Sequence, residues 1–187
     1  MEIGHRLFQY RDYTPIPLIV LMWFAAEPTV LSATVGTLIT VFGELFRIYS
    51  VAFIGTVSRT RSNSTGANLI TEGPFAFVRN PLYIGNFIIC FGIAVFSCTG
   101  WLVVLTVGLF AFQYYCIVKY EETILVEKFG EEYETYLRTV PAWLPKHLPS
   151  LDSIQWPTNF APSLRSESRT LLAIALMLFS LILLSHR

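Results

Sequence analysis

Residues 80–118 form the longest stretch of this sequence without Asp, Glu, Lys, Arg or His, and they read NPLYIGNFIICFGIAVFSCTGWLVVLTVGLFAFQYYCIV. A helix that crosses a bilayer needs about 20 residues, so this stretch is long enough for two crossings. Its middle, Cys98-Thr99-Gly100, has the residues of a turn. The pattern predicts two membrane helices, over 81–98 and 101–118, joined by a tight connection.

The composition of the whole chain is typical of a membrane protein. Hydrophobic residues make up 53 % of the 187 residues and charged residues only 14 %, against roughly 25 % charged residues in soluble proteins. The formal net charge is zero, which argues against a nucleic-acid partner because such proteins carry clustered positive charge. The scattered histidines and the cysteines in apolar segments show no metal-ligand spacing, so we expect no metal.

Three further apolar segments, 13–31, 33–57 and 170–185, complete the prediction of an all-α, polytopic membrane bundle with about five transmembrane helices. The last segment is short, and it spans only if Arg169 and Arg187 extend to the interfaces. Basic residues occur at the N-terminus and in the polar segments after the second and fourth spans, whereas the two loops on the opposite side carry no Lys or Arg. The positive-inside rule therefore places the N-terminus and these segments in the cytoplasm.

We treat residues 1–187 as a single membrane domain, divided into an N-terminal helical hairpin (13–57), a core (58–145), and a Pro-rich tail with the last helix (146–187). Residues 119–138, KYEETILVEKFGEEYETYLR, predict a cytoplasmic amphipathic helix that continues the fourth span. Its apolar stripe consists of Leu125, Phe129, Tyr133 and Leu137, which recur every four residues.

Charged residues at the edge of the membrane are the first candidates for a site. Glu121 lies on the side of its helix that carries the apolar stripe, where an acid needs a cationic partner. Arg79, Lys119 or a cationic ligand could supply that partner. The simpler alternatives are that Glu121 and Glu122 are solvated acids at a helix exit and that Arg79 is an ordinary interfacial residue.

A second candidate lies within the second predicted span. Glu44 and Arg47 are three residues apart, so they share a helix face and can neutralise one another. Ionisable residues inside a membrane are costly and usually face a bundle interior or a cavity. The alternative is that the helix ends early and the pair lies among the lipid headgroups.

Residues 58–145 resemble the family of isoprenylcysteine carboxyl methyltransferases and phospholipid methyltransferases. The motifs that carry the resemblance occur in the family's order. They are Leu69-Ile70-Thr71-Glu72-Gly73-Pro74-Phe75, Arg79-Asn80-Pro81-Leu82-Tyr83-Ile84-Gly85, Glu121-Glu122, Phe129-Gly130-Glu131-Glu132-Tyr133-Glu134-Thr135-Tyr136 and Val140-Pro141-Ala142-Trp143-Leu144-Pro145.

The resemblance implies an S-adenosylmethionine-dependent methyltransferase that acts, without a metal, on an amphiphilic lipid or prenylated substrate at the cytoplasmic interface. The candidate catalytic residues are Glu121, which by the resemblance would face the cofactor, and Arg79, our first choice, before Arg59, Arg61 or Lys119, for the cation that a substrate carboxylate needs. The implied cofactor-binding residues are Ala67, Asn68, Leu69, Ile70, Phe75, Asn80, Pro81, Leu82, Tyr83, Glu121 and Glu122. The candidate substrate-binding residues are Arg59, Arg61, Lys119, Glu44 and Arg47.

Three departures from the protein-modifying branch of the family leave the substrate open among prenylcysteine, a phospholipid and another small amphiphile. Asn80 stands where that branch has histidine, Phe75 where it has tyrosine, and Ile117 where it has a substrate-binding arginine. Two other functions also remain open. One is an NADPH-dependent membrane reductase of the sterol-reductase type, which resembles the family in its carboxyl-terminal motif, and the other is a non-enzymatic membrane bundle.

Overall fold

The computed structural model describes residues 2–54 and 68–185. Within these ranges the chain is helical and has no β-strand, which confirms the all-α class. The helices are α1 (Glu2–Tyr10), α2 (Ile16–Ala25), α3 (Val30–Ile54), α4 (Pro81–Phe96), α5 (Gly100–Phe129), α6 (Glu131–Thr139) and α7 (Ala161–Ser185). Short 3₁₀ turns occur at Gly73–Ala76 and Leu151–Ser153.

Three helices are long and apolar enough to cross a membrane: Val30–Ile54, Gly100–Phe129 and Ala161–Leu183. The helices Ile16–Ala25 and Pro81–Phe96 are apolar but shorter. Large apolar side chains such as Phe24, Val104 and Phe112 are exposed, as expected of surfaces that face lipid. The membrane class is therefore supported, while a total of five crossings stays a prediction.

The predicted bounds of the first span and the predicted start of the second are wrong, while the predicted end of the second span at 57 lies outside the described residues. α2 ends at Ala25, and residues 26–29 are not helical. Pro28 has no N–H to donate, and the N–H of Glu27 instead donates to the carbonyl of Ser97 at 2.9 Å. α3 begins at Val30, three residues before the predicted start, because Thr29 and Ser32 bind each other's backbone N–H groups through their hydroxyls.

α3 and α4 pack with their backbones in close contact, and this contact fixes the register of the two helices. A Cβ atom on Gly36 would lie 2.5 Å from the backbone nitrogen of Phe96, and one on Gly92 would lie 2.6 Å from that of Thr40. Only glycine permits this approach. The register brings Arg47 of α3 against Asn86 of α4.

The predicted continuous helix over 119–138 is wrong at one residue. α5 runs on past the uncharged stretch to Phe129, but Gly130 then adopts a φ of +57°, in the left-handed region that glycine adopts without strain. α6 starts again at Glu131 and buries Tyr133 and Tyr136. The four residues of the predicted apolar stripe are buried (Tyr133) or half-buried (Leu125, Phe129 and Leu137), but they lie on two helices instead of one.

Two other helices differ from the sequence prediction. α1 was not predicted; it packs on α5 through Gly4, whose Cβ would lie 2.6 Å from the carbonyl oxygen of Cys116, and through Phe8, whose ring lies 5.8 Å from that of Tyr120. α7 begins at Ala161, nine residues before the predicted start, so the buried Glu167 lies within it. The extra turns give this helix the length that a span requires.

Candidate functional site

The N-terminus of α4 is bound to the segment that follows α6. The N–H of Arg79 donates to the carbonyl of Pro141 at 2.9 Å, and the side-chain amide of Asn80 donates to the carbonyl of Ala142 at 3.1 Å. Pro81 occupies the first turn of α4, where its missing N–H costs nothing. Two motifs that are 60 residues apart in the sequence therefore form one surface at the end of the bundle.

Arg79, which precedes α4, contacts the end of α6 and a residue within α5. Its guanidinium donates to the carbonyls of Leu137 and Val140 at the end of α6, and it forms an ion pair of 2.6 Å with Glu122 of α5. Lys119 approaches the same carboxylate at 3.6 Å. A cation at the C-terminus of a helix also interacts favourably with the helix dipole.

Glu121 has a different environment from that of Glu122. Its carboxylate accepts hydrogen bonds from the hydroxyl of Tyr83, which lies 2.8 Å from both carboxylate oxygens. Of the three cationic partners considered for Glu121, Arg79 and Lys119 approach Glu122 instead, and a cationic ligand stays a prediction. Glu121 nevertheless points into the protein, next to Tyr83.

An open cleft of about 180 Å³ lies beside this cluster. Its lining is formed by Arg79, Tyr115, Val118, Lys119, Glu122, Ala142 and Trp143. Lys119 is largely exposed, whereas Arg79 and Glu122 are mostly buried. The cleft therefore combines one mostly buried cation, one exposed cation and two aromatic rings.

The 3₁₀ turn Gly73–Ala76 is held in place by α6 and by the chain before α7. The hydroxyl of Tyr136 donates to the carbonyl of Phe75 at 2.7 Å, and the N–H of Gly73 donates to the side-chain oxygen of Gln155 at 2.8 Å. Burial raises the pKa of Tyr136, so its phenol remains a donor at neutral pH. Phe75 is buried, Leu69 and Ile70 are half-buried, and Asn68 is exposed. Ala67, Arg59 and Arg61 lie outside the described residues.

A second polar cluster lies between α3, α4 and α7. Arg47 approaches Glu44 at 3.6 Å, as the sequence spacing predicts, and Glu167 of α7 at 2.8 Å. It also donates to the side-chain oxygen of Asn86, whose amide group donates to the hydroxyl of Tyr114 at 3.1 Å. Glu44 and Glu167 are buried. The cluster is thus a packed ionic contact, and it lies one turn of α4 from Tyr83.

The family model for phospholipid methyltransferases matches residues 31–132, more than half of the chain. The chain belongs to the phospholipid methyltransferase family. The matched residues include nearly all of α3, all of α4 and α5, and therefore Asn80–Tyr83 and the pair Glu121-Glu122. The resemblance predicted from the motifs is confirmed, and this is a family of membrane methyltransferases.

Curated relatives of this family member fall into two groups. It is 36 % identical over 124 residues to the protein-S-isoprenylcysteine O-methyltransferase of Mus musculus, covering 63 % of this chain and 42 % of the mouse protein. It is 26 % identical over 147 residues to the nickel-cobalt-cadmium resistance protein NccN of Alcaligenes xylosoxydans xylosoxydans, covering 76 % of this chain and 65 % of NccN. The cobalt-zinc-cadmium resistance protein CzcN of Cupriavidus metallidurans is 26 % identical over 124 residues, covering 66 % of this chain and 54 % of CzcN.

The matched part of this phospholipid methyltransferase family member thus spans less than two thirds of the length of each of these relatives. No solved structure matches the chain significantly. Among the residues that the structure describes, no group of three or more His, Cys, Asp or Glu side chains could hold a metal ion.

Two contacts of the site were missed in the sequence. Glu167 precedes the last uncharged run and gave no indication of its partner, because Arg47 lies 120 residues away. Asn86 and Tyr114 lie in the uncharged stretch, and the sequence prediction included neither of them. A polar side chain inside a span is a signal that a partner exists, and this signal could have identified Asn86 as a candidate.

Proposed function

We propose that this chain is an integral membrane methyltransferase that uses S-adenosylmethionine and methylates a carboxylate or an amine of an amphiphile at the cytoplasmic interface. The observation that carries the proposal is the contact between Tyr83 and Glu121. This pair joins two motifs of the family at the membrane end of α4 and α5, where a cofactor from the water and a substrate from the bilayer can meet.

The residues near Glu121 fit the proposed cofactor. S-adenosylmethionine carries a sulfonium and an α-ammonium, and the half-buried carboxyl group of Glu121, which the phenol of Tyr83 binds, is the acid that we propose to face them. Asn80, Pro81, Leu82 and Tyr83 lie on the same first turn of α4, and the turn containing Phe75 is fixed beside α6. When bound, this cofactor supplies a methyl group that is already activated on sulfur, so no metal is needed. The protein has to orient the reactants and exclude water.

The cleft beside Glu122 is the proposed site of the substrate's headgroup. Arg79 is held rigidly by Glu122 and two carbonyls, so it offers a fixed positive charge, while Lys119 is exposed and can move towards an anion. Tyr115 and Trp143 provide amphipathic rings of the kind that lie at membrane interfaces. A carboxylate arrives ionised and needs no general base, whereas an amine must lose a proton before it attacks.

The proposed topology has five crossings, with the N-terminus and the site in the cytoplasm. α2 and α4 are short, so they require tilt of their neighbours or local thinning of the bilayer. The basic residues Arg6, Arg11 and Arg79 lie on the proposed cytoplasmic side, in agreement with the positive-inside rule. Residues 68–80 and 130–145 would then form the cytoplasmic cap of the bundle together with the inner ends of α4 and α5.

The proposed substrate is a kind of molecule, an amphiphile with a polar headgroup, and not one compound. The mouse and human relatives are named protein-S-isoprenylcysteine O-methyltransferases, but Ile117 occupies the position of that branch's substrate-binding arginine. Ile117 is fully buried, so α5 does not present a cation to a substrate there. The cations of the cleft, Arg79 and Lys119, are the proposed replacements, and they suit a carboxylate or a phosphate-bearing headgroup equally.

The cofactor can be tested by thermal unfolding of the purified protein in detergent. A ligand at 100 times its Kd stabilises a protein by about 2.7 kcal/mol, which corresponds to a rise in Tm of about 5–10 °C for a chain of this size. We expect this rise with S-adenosylhomocysteine and none with NADPH. A rise with NADPH alone would establish the reductase alternative, and no rise with either would contradict the proposal.

A further inference from the structure

A chain of side-chain contacts connects α7 to the proposed cofactor site. It begins at Glu167, which is fully buried and approaches Arg47 at 2.8 Å. Arg47 donates to Asn86, and Asn86 donates to the hydroxyl of Tyr114 at 3.1 Å. The ring of Tyr114 lies 4.7 Å from the ring of Tyr83, whose hydroxyl binds Glu121. These contacts involve α3, α4, α5 and α7.

Each contact restricts the next. Because Arg47 is a donor only, the oxygen of the Asn86 side chain must face it, and the amide nitrogen of Asn86 must then face Tyr114. The hydrogen bond to Asn86 fixes the ring of Tyr114, which also stacks on Phe110 with ring centroids 4.1 Å apart. Tyr83 packs against this fixed ring, so its hydroxyl can reach both oxygens of Glu121.

We propose that Glu167 on α7 is a positioning residue for methyl transfer, acting on the Tyr83–Glu121 pair through this chain of contacts. The inference rests on the proposed function and extends it to a helix outside residues 31–132, the region that the family model matches. Glu167 does not touch the proposed cofactor site. Its negative charge holds Arg47 in the orientation that sets Asn86.

A double-mutant cycle between Glu167 and Tyr114 tests the proposal, because contacts in one network give non-additive effects. The variants are Glu167→Gln, Tyr114→Phe and the double variant, each measured for the Kd of S-adenosylhomocysteine and for kcat and KM per folded protein. We expect each single variant to weaken cofactor binding about tenfold. The double variant should also be about tenfold weaker, since both changes break the same chain of contacts.

Two further variants separate positioning from folding. Glu167→Asp keeps the charge and should recover most of the cofactor affinity, while Ser168→Ala changes an exposed neighbour on the same helix and should match the wild type. A merely structural ion pair would lower the Tm of Glu167→Gln and leave the Kd and kcat of the folded fraction unchanged. An unchanged Kd and kcat in folded Glu167→Gln would overturn the proposal. A double variant that binds the cofactor about a hundredfold more weakly would also overturn it, because effects that multiply come from independent contacts.

The same experiment distinguishes a failure of this inference from a failure of the proposed function. If the wild type binds S-adenosylhomocysteine and Glu167→Gln binds it equally well, the positioning role is wrong and the proposed function stands. If the folded wild type shows no binding, the proposed function fails, and the role of Glu167 in methyl transfer fails with it.

Discussion

Replacing Glu121 by Gln should weaken the binding of S-adenosylhomocysteine about 100-fold and reduce methyl transfer by at least the same factor. The substitution keeps the shape of the side chain and one oxygen that can accept from Tyr83, but it replaces the other oxygen by a donor and removes the capacity for negative charge. A hydrogen bond to a charged group in a protected site contributes up to about 3 kcal/mol, and each 1.4 kcal/mol is about a tenfold change in affinity. Isothermal titration in detergent measures the Kd directly.

The matched control for this substitution is Glu127→Gln. Glu127 lies on the same helix, fewer than two turns further on, and is exposed. The Glu127→Gln variant loses one negative charge outside the proposed site, so it should bind the cofactor as tightly as the wild type does. Equal affinities for Glu121→Gln and the wild type would remove Glu121 from the cofactor site.

The second large effect is expected at Arg47. Arg47→Met removes the cation between Glu44 and Glu167, two buried acids on different helices. Breaking a buried ion pair from one side costs about 3–5 kcal/mol, because a charge is left in a medium that solvates it poorly. The free energy of unfolding in mixed micelles should fall by this amount, and the protein should be recovered in low yield.

Arg138→Met is the matched control for Arg47→Met. Arg138 is exposed near the end of α6, where one surface charge contributes at most about 1 kcal/mol. A second comparison, Arg47→Lys, keeps the charge but loses the planar group that binds Glu167 and Asn86 together, so its stability should lie between those of the wild type and Arg47→Met. If Arg47→Met is as stable as the wild type, then this cluster does not hold α7 on the bundle.

Local signals predicted the part of the fold closest to the site. Pro81 and the Thr99-Gly100 pair begin helices in the structure, and the predicted and observed helices of the uncharged stretch agree within two residues at these starts and at the end of α4. The reason is that the signals depend only on neighbouring residues: proline fixes the first turn, and a long run without charge admits few structures other than a membrane helix.

Contacts between distant segments account for the errors. The break at residues 26–29 depends on the carbonyl of Ser97, and the early start of α7 accommodates Glu167 beside Arg47. Neither partner can be recognised from nearby sequence. Glu121 and Glu122 are adjacent residues that differ by about 100° around the helix, so choosing which of them meets Arg79 required the rotation of α5 in the structure.

Methyl transfer itself can be measured by incubating membranes with methyl-tritiated S-adenosylmethionine. Membranes that contain the wild-type protein should incorporate label into an extractable amphiphile or into membrane protein well above membranes without it, and Glu121→Gln should reduce the incorporation to background. The fraction that receives the label identifies the substrate class. If folded wild-type protein transfers no label to lipid or to protein, or if Glu121→Gln transfers as much as the wild type, then the Tyr83–Glu121 pair is not the site of a methyltransferase.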